Sequence, residues 1–135
     1  MSAFSQDTDM RALPADVDMS GPLSQYTFVS TVAPTNTAGN GDGTANATTY
    51  VSGSRPYGVL QNTCAPASAG KLAERIAAIR VRNVTKLRCG AAWKLNDQLG
   101  GMAGGLGAPV SGGGTARAIA LSDAQPGDLA SVELI

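Results

Sequence analysis

Nucleophiles, general bases and metal ligands are scarce in this chain of 135 residues, which contains no histidine. A serine or cysteine nucleophile therefore lacks its commonest base, and no Gly-x-Ser-x-Gly pattern occurs. The two cysteines, Cys64 and Cys89, are 25 positions apart and show no Cys-x-x-Cys spacing. We predict that they are buried apolar thiols rather than a disulfide or a metal site, and that the protein is not an enzyme.

An oxygen-rich loop and a glycine-rich stretch are the remaining places where a ligand could be held. Oxygen donors alternate in "NGDGTAN" as in a calcium loop, but Ala45 and Val51 stand where such a loop needs Gly and Glu. A plain exposed loop is therefore favoured. The stretch 100–114 has neither Gly-Lys-Ser/Thr nor a complete G-x-G-x-x-G pattern, which favours a sterically permissive connection over a phosphate cradle. No metal and no cofactor is expected.

Charged side chains are balanced, ten basic against ten acidic, but they are unevenly placed. The first 18 residues carry a net charge of −3, whereas residues 71–94 hold seven basic side chains against Glu74. Nucleic acid is not the expected partner, because the basic stretch lacks interleaved aromatic residues and the whole chain is neutral. A protein-facing strand and a solvated face are equally open interpretations. The residues of the possible protein-facing strand are Arg80, Arg82, Lys86 and Arg88.

The order of apolar and turn-forming residues predicts a mainly β protein. A strand is predicted over Tyr26–Val32, and Ile79–Cys89 has a period of two with basic side chains on one face. The runs "RAIALSDA" and "DLASVELI", separated by Gln125–Asp128 with its Pro-Gly pair, predict a hairpin. We expect a small antiparallel β-sandwich or barrel-like domain with short helical turns, preceded by an extended arm.

Residues 1–25 are predicted to form this N-terminal arm, followed by a strand and an exposed Gly/Asn-rich loop over 26–55 and by a β-rich core over 56–135. Pro14 and Pro22 disfavour a helix in the arm, which is too polar to form a core. It could be a latch on a neighbouring subunit or a tail without a partner. The expected contact residues are isolated apolar anchors and acids: Phe4, Met10, Leu13, Val17, Met19, Asp7, Asp9, Asp16 and Asp18.

Targeting signals are not evident in the sequence. The N-terminus has early acids and no apolar signal segment, and no run approaches the ~20 apolar residues of a membrane span. We therefore expect a soluble protein, made in the cytoplasm, without a membrane partner.

Five weak motifs follow one another in the second half of the chain: "YGVLQN", "SAGKLAERIAAIRVRNVTKLRCGAAW", "DQL", "RAIAL" and "PGDLASVELI". Their order resembles that in the small capsid decoration, or cement, proteins of tailed double-stranded-DNA bacteriophages. The resemblance covers the chain from residue 56 to residue 135.

The resemblance implies a structural protein on the exterior of the virion capsid, synthesised in the host cytoplasm. It implies binding to the outer surface of the expanded head, stabilisation of contacts between major capsid protein subunits, and homotrimers at three-fold and quasi-three-fold positions. The alternative is a tail or spike adaptor or a receptor-binding module, in which the Gly/Asn-rich loop would carry recognition. The number of copies per particle would distinguish the two.

Overall fold

The computed structural model describes residues 9–33, 45–65, 75–110 and 115–135. Within these ranges it contains ten β-strands and, as short helical turns, two 3-10 segments, Pro22–Ser24 and Ala103–Gly105. The predicted mainly β class is confirmed. The strands are β1 (Met10–Pro14), β2 (Phe28–Val32), β3 (Asn46–Thr49), β4 (Gly58–Leu60), β5 (Ile76–Arg80), β6 (Asn83–Arg88), β7 (Gln98–Gly101), β8 (Gly107–Pro109), β9 (Ala118–Ala120) and β10 (Leu129–Leu134).

The strands form two antiparallel sheets of five strands each, consistent with a small β-sandwich. The first sheet has the order β1-β5-β4-β2-β3 and the second the order β6-β10-β9-β7-β8. Adding five to each strand number of the first sheet gives the second, so the two sheets have the same topology. We call residues 9–81 the first unit and residues 83–135 the second unit.

Details of the pairing repeat as well as the strand order. In the first unit a parallel bridge joins Ala15, just after β1, to Ala47 in β3, and in the second unit the equivalent bridge joins Cys89 to Gly107. Each bridge links the two edge strands of its sheet, so each sheet curls towards a barrel. This is the barrel-like feature that the sequence predicted.

Each unit encloses its own apolar cluster. Met19 in the first unit and Trp93 in the second occupy equivalent places, since each forms an isolated antiparallel bridge, to Cys64 and Ala124 respectively. Both side chains are almost fully buried. The first cluster contains Leu13, Ala15, Met19, Val29, Ala47, Leu60, Cys64, Ala77 and Ile79. The second contains Leu87, Cys89, Trp93, Leu99, Ala118, Ala120, Ala124, Ala130, Val132 and Leu134, together with Phe28 and Val59 from the first sheet. Phe28 and Val59 thus pack the first sheet against the apolar cluster of the second unit.

The stretch predicted as one element over Ile79–Cys89 is two strands in different sheets. The first sheet ends at Arg80, and the second begins at Asn83, whose φ of 65° turns the chain. Asparagine tolerates this left-handed conformation better than most residues. The alternation of apolar and basic residues misled because both strands bury every second side chain, so the period continues across the break.

The structure also differs from the predicted arm over residues 9–25. Met10–Pro14 is β1, an edge strand paired with β5, and not an extended segment that leaves its own domain. Leu13 and Met19, expected as anchors on a neighbour, are 9% and 1% exposed in the core of this chain. A few widely spaced apolar residues are enough to hold β1 in the sheet, because the strand is short and buries only one face. Phe4 and Asp7 lie outside the described residues.

Candidate functional site: an arginine-lined cleft

A tight turn next to the first sheet presents one of the site's arginines. The Ser54 backbone N–H and hydroxyl donate to the carbonyl of Val51, at 3.2 and 2.6 Å, and Gly53 adopts a φ of 85° that favours glycine. The hydroxyl of Ser30 in β2 accepts a 2.9 Å hydrogen bond from the Val51 N–H and fixes the turn to the sheet. The residue that follows the turn is Arg55, which is exposed.

Four arginines from four separate segments line one cleft of about 630 Å³. Arg11 comes from β1, Arg55 from the turn before β4, Arg82 from the junction between the units, and Arg117 from the residue before β9. Among the described residues, the cleft is lined by no aspartate or glutamate. The cleft therefore concentrates positive charge in a chain whose net charge is zero.

Arg117 lies at the back of the cleft and is only 4% exposed. Its guanidinium donates to the carbonyls of Pro56 (3.0 Å), Tyr57 (2.9 Å) and Val81 (2.7 Å) and to the main-chain oxygen of Ile135 (2.7 Å). Desolvation, followed by the charge of Arg55, lowers the pKa of Arg117 to about 10. The group thus stays protonated at neutral pH, and main-chain oxygens hold it in place.

The other arginines of the cleft are exposed. Arg55 donates from Nη2 to the main-chain oxygen of Ile135 at 2.7 Å. Arg82 is exposed and makes no hydrogen bond or ion pair with any part of the chain that the structure describes. Arg11 donates from Nη1 to the Met10 carbonyl at 2.9 Å. Planar guanidinium groups bind oxyanions through paired N–H donors, so this arrangement is suited to an anionic group.

The predicted basic strand does not present a single face. Arg80 lies 4.0 Å from the carboxylate of Asp9, and Arg82 lies in the cleft. Lys86 donates to the Ser131 hydroxyl at 3.1 Å across the second sheet. Arg88 donates to the carbonyls of Gln25 and Pro22, at 2.9 and 3.1 Å. These four side chains therefore lie in four different environments.

The described acids of the predicted arm are engaged within the chain. The carboxylate of Asp9 accepts from the side-chain amide of Asn83 as well as facing Arg80, and Asp16 accepts a 3.3 Å bond from the Asn46 amide. Asp18 accepts from the hydroxyl and the backbone N–H of Ser20, and these bonds lower the pKa of its carboxyl. Of the apolar residues expected as anchors, Met10 and Val17 are half-buried.

The two cysteines are buried free thiols, as predicted from the sequence. Burial raises the pKa of both thiols, with smaller contributions from Asp18 at Cys64 and from Asp128 at Cys89. Within the described ranges, no three cysteine or acidic side chains come together as a metal cluster would require. No helix found there is long and apolar enough to cross a membrane.

Sequence reasoning found only one of the four arginines of the cleft, Arg82. Arg11, Arg55 and Arg117 were missed because each stands alone in the sequence, without basic neighbours. The exposed turn before Arg55 was visible in the sequence, but nothing in the spacing indicates that these residues converge.

Neither a protein-family model nor a curated protein sequence matches this chain. Among solved structures, the head fiber gp8.5 N base of bacteriophage phi29 has a similar fold, with a TM-score of 0.69 and 14% sequence identity. The similarity covers 93% of this chain and 94% of that chain. The likeness therefore establishes a common fold that includes both units, not only the second half in which the sequence motifs were found.

Proposed function

We propose that this protein is a non-enzymatic structural component of a phage head. The observation that carries the proposal is the fold shared, over nearly the whole of both chains, with a protein described as the base of a head fiber. The order of five motifs in residues 56–135, which resembles the decoration proteins, supports the same class independently.

The proposed role is that of a decoration protein, which binds the outer surface of the expanded head and stabilises contacts between major capsid protein subunits. A protein that binds the assembled lattice but not its separated subunits stabilises the lattice by mass action, so binding energy is the whole mechanism. Two fused units give such a protein a wide, preorganised surface. We further propose that it forms homotrimers at three-fold and quasi-three-fold positions on the exterior of the capsid.

A sedimentation experiment with phage heads tests this proposal. Purified expanded heads are incubated with the protein, pelleted, and analysed for bound copies, with unexpanded heads as the matched control. We expect saturable binding to the expanded heads, many copies on each, and greater resistance of the decorated heads to heat. Absence of binding to expanded heads, or equal binding to both forms, would count against a decoration role.

A second candidate role is that of a base carrying a fibre on the head. This role is favoured because the structural neighbour is described as the base of a head fiber. The two roles differ in the particle: a fibre base projects an additional structure outwards from each bound position, whereas a decoration protein covers the lattice by itself. A reconstruction of particles that carry the protein distinguishes them.

A further inference from the structure

The arginine-lined cleft gathers cationic side chains, and no aspartate or glutamate of the described residues lines it. The cationic groups are Arg11, Arg55, Arg82 and Arg117, and two described acids near Arg11 in the sequence have other partners. Asp9 faces Arg80, and Asp16 accepts from Asn46. Guanidinium groups held close together repel one another, and an oxyanion bound between them reduces this repulsion.

The arginines of the cleft differ in burial, and therefore in what each can contribute to binding. Arg117 donates to four main-chain oxygens at the back of the cleft, so it contributes a positive charge but few free donors. Arg82 is exposed and has no internal partner in the described part of the chain, and Arg55 uses Nη2 on Ile135. A ligand would therefore be contacted by Arg82 and Arg55, with Arg117 strengthening the attraction from behind.

Several backbone amides of the cleft are used inside the protein. Ser54 donates its N–H to the carbonyl of Val51, Tyr57 to that of Val29, and Arg117 to that of Leu99. The same holds for the N–H groups of Val81 and Ile135. Phosphate sites are commonly built from converging backbone N–H groups, and these five N–H groups are already bonded within the protein. Side-chain guanidinium forks alone match carboxylates well, and about 630 Å³ is room for several residues of an extended peptide rather than for one small ion.

We propose that this cleft binds an acidic segment of a partner protein, through carboxylates held by Arg82 and Arg55. The inference depends on the proposed function only for the identity of the partner, which would then be a protein of the phage head. Asp9, Asp16 and Asp18 accept hydrogen bonds elsewhere in the chain, and the proposed carboxylates are those of another molecule.

Fluorescence anisotropy with a labelled peptide of alternating Asp and Gly residues tests the proposal, with the matched Asn-Gly peptide as a neutral probe. We expect the acidic peptide to bind the full chain, the neutral peptide not to bind, and added salt to weaken the binding. Arg82→Gln and Arg55→Gln should each weaken it about tenfold, the size of one charge-assisted hydrogen bond. Arg82→Lys should also weaken it, because lysine keeps the charge but not the fork.

Lys94→Gln is the control, since Lys94 is 79% exposed at a turn of the second unit, outside the cleft, and the variant loses the same charge. An equal loss in Lys94→Gln would show that the peptide senses only general charge, which would overturn the proposal. Failure of the acidic peptide to bind, or tighter competing binding of inorganic phosphate, would overturn it too. Far-UV circular dichroism checks that each variant is folded. The assay contains no phage head, so its failure and failure of head binding are separate results.

Discussion

Arg117→Met is the substitution that tests the connection between the two units most directly. The guanidinium of Arg117, a residue of the second unit, donates to three carbonyls of the first unit, those of Pro56, Tyr57 and Val81. It also donates to the main-chain oxygen of Ile135, which follows β10. Methionine keeps much of the length and apolar volume of the arginine stem. The loss is therefore dominated by carbonyl groups that are left without a donor.

The size of the effect follows from the burial of those carbonyls. Pro56 is fully buried, so its carbonyl loses its partner without access to water, at about 1 to 3 kcal/mol. Tyr57 and Val81 are half-buried, so the loss of the hydrogen bond to each of their carbonyls lowers the free energy of unfolding by about 0.5 to 1.5 kcal/mol. Ile135 is exposed, so we assign no loss to its main-chain oxygen. Removal of a desolvated charge offsets part of this loss. We expect a decrease of about 3 kcal/mol, out of about 5 to 15 kcal/mol for a typical domain.

Urea unfolding measures this decrease, followed by circular dichroism and by the fluorescence of Trp93, the single tryptophan of the chain. Arg82→Met is the matched control: it loses the same group at an exposed position without internal bonds, and we expect a change within about 0.5 kcal/mol. If Arg117→Met unfolds within that same margin of the wild-type chain, the carbonyls are hydrated and the bridging role of Arg117 is wrong.

Three further outcomes are expected from the described packing. Met19→Ala should lower the free energy of unfolding by about 2 to 5 kcal/mol in urea titrations, since Met19 is 1% exposed; a loss under 1 kcal/mol would place it outside the core. Gly58→Ala should cost about 1 to 3 kcal/mol, because its Cβ would lie 2.4 Å from the Arg80 carbonyl oxygen, whereas Gly21→Ala, with 3.9 Å to the nearest atom, should be nearly neutral; equal effects would contradict the close approach of β4 and β5. Cys64 and Cys89 should react with a disulfide reagent far more slowly in the native protein than in urea at pH 8, because burial raises both pKa values, and fast native labelling would show that the thiols are accessible.

Local signals in the sequence predicted local structure well. The Pro-Gly pair at Pro126 and Gly127 forms the expected turn, in which Gly127 has a φ of 96° and the Asp128 N–H donates to the Gln125 carbonyl at 3.0 Å. The strands on either side pair antiparallel, with Val132 opposite Ala120. Turn chemistry and period-two alternation act over a few residues, so a single sequence contains what is needed to infer them.

The duplication could not be predicted, because the two units share positions rather than residue types. Met19 corresponds to Trp93, and Ala47 to Gly107, and in each pair the burial is alike while the side chains differ in size. The packing around Gly107 is correspondingly tight, because a Cβ there would lie 2.5 Å from Leu87 and 2.9 Å from the Trp93 ring. Such exchanges of volume keep the fold and erase the repeat from the sequence.

The cleft was missed for a related reason, since it arises where the two units differ. The residue equivalent to Arg11 in β1 is Thr85 in β6, because Arg11 lies opposite Ile79 and Thr85 opposite Val132. Thr85 is buried and accepts a hydrogen bond from Gln61, so no second arginine stands at that place.

Arg117, which connects the two units, also differs from its equivalent in the other unit. Arg117 and Tyr57 are themselves equivalent, since their N–H groups bond Leu99 and Val29 in β7 and β2, yet only the arginine reaches across to its counterpart. The repeated fold thus provides two apolar cores. The arginines of the cleft, by contrast, lie where the equivalent residue of the other unit is not basic, as with Arg11 and Thr85 or Arg117 and Tyr57. An anionic ligand of the cleft would therefore bind once per chain, beside the junction between the units, although the fold of the units occurs twice.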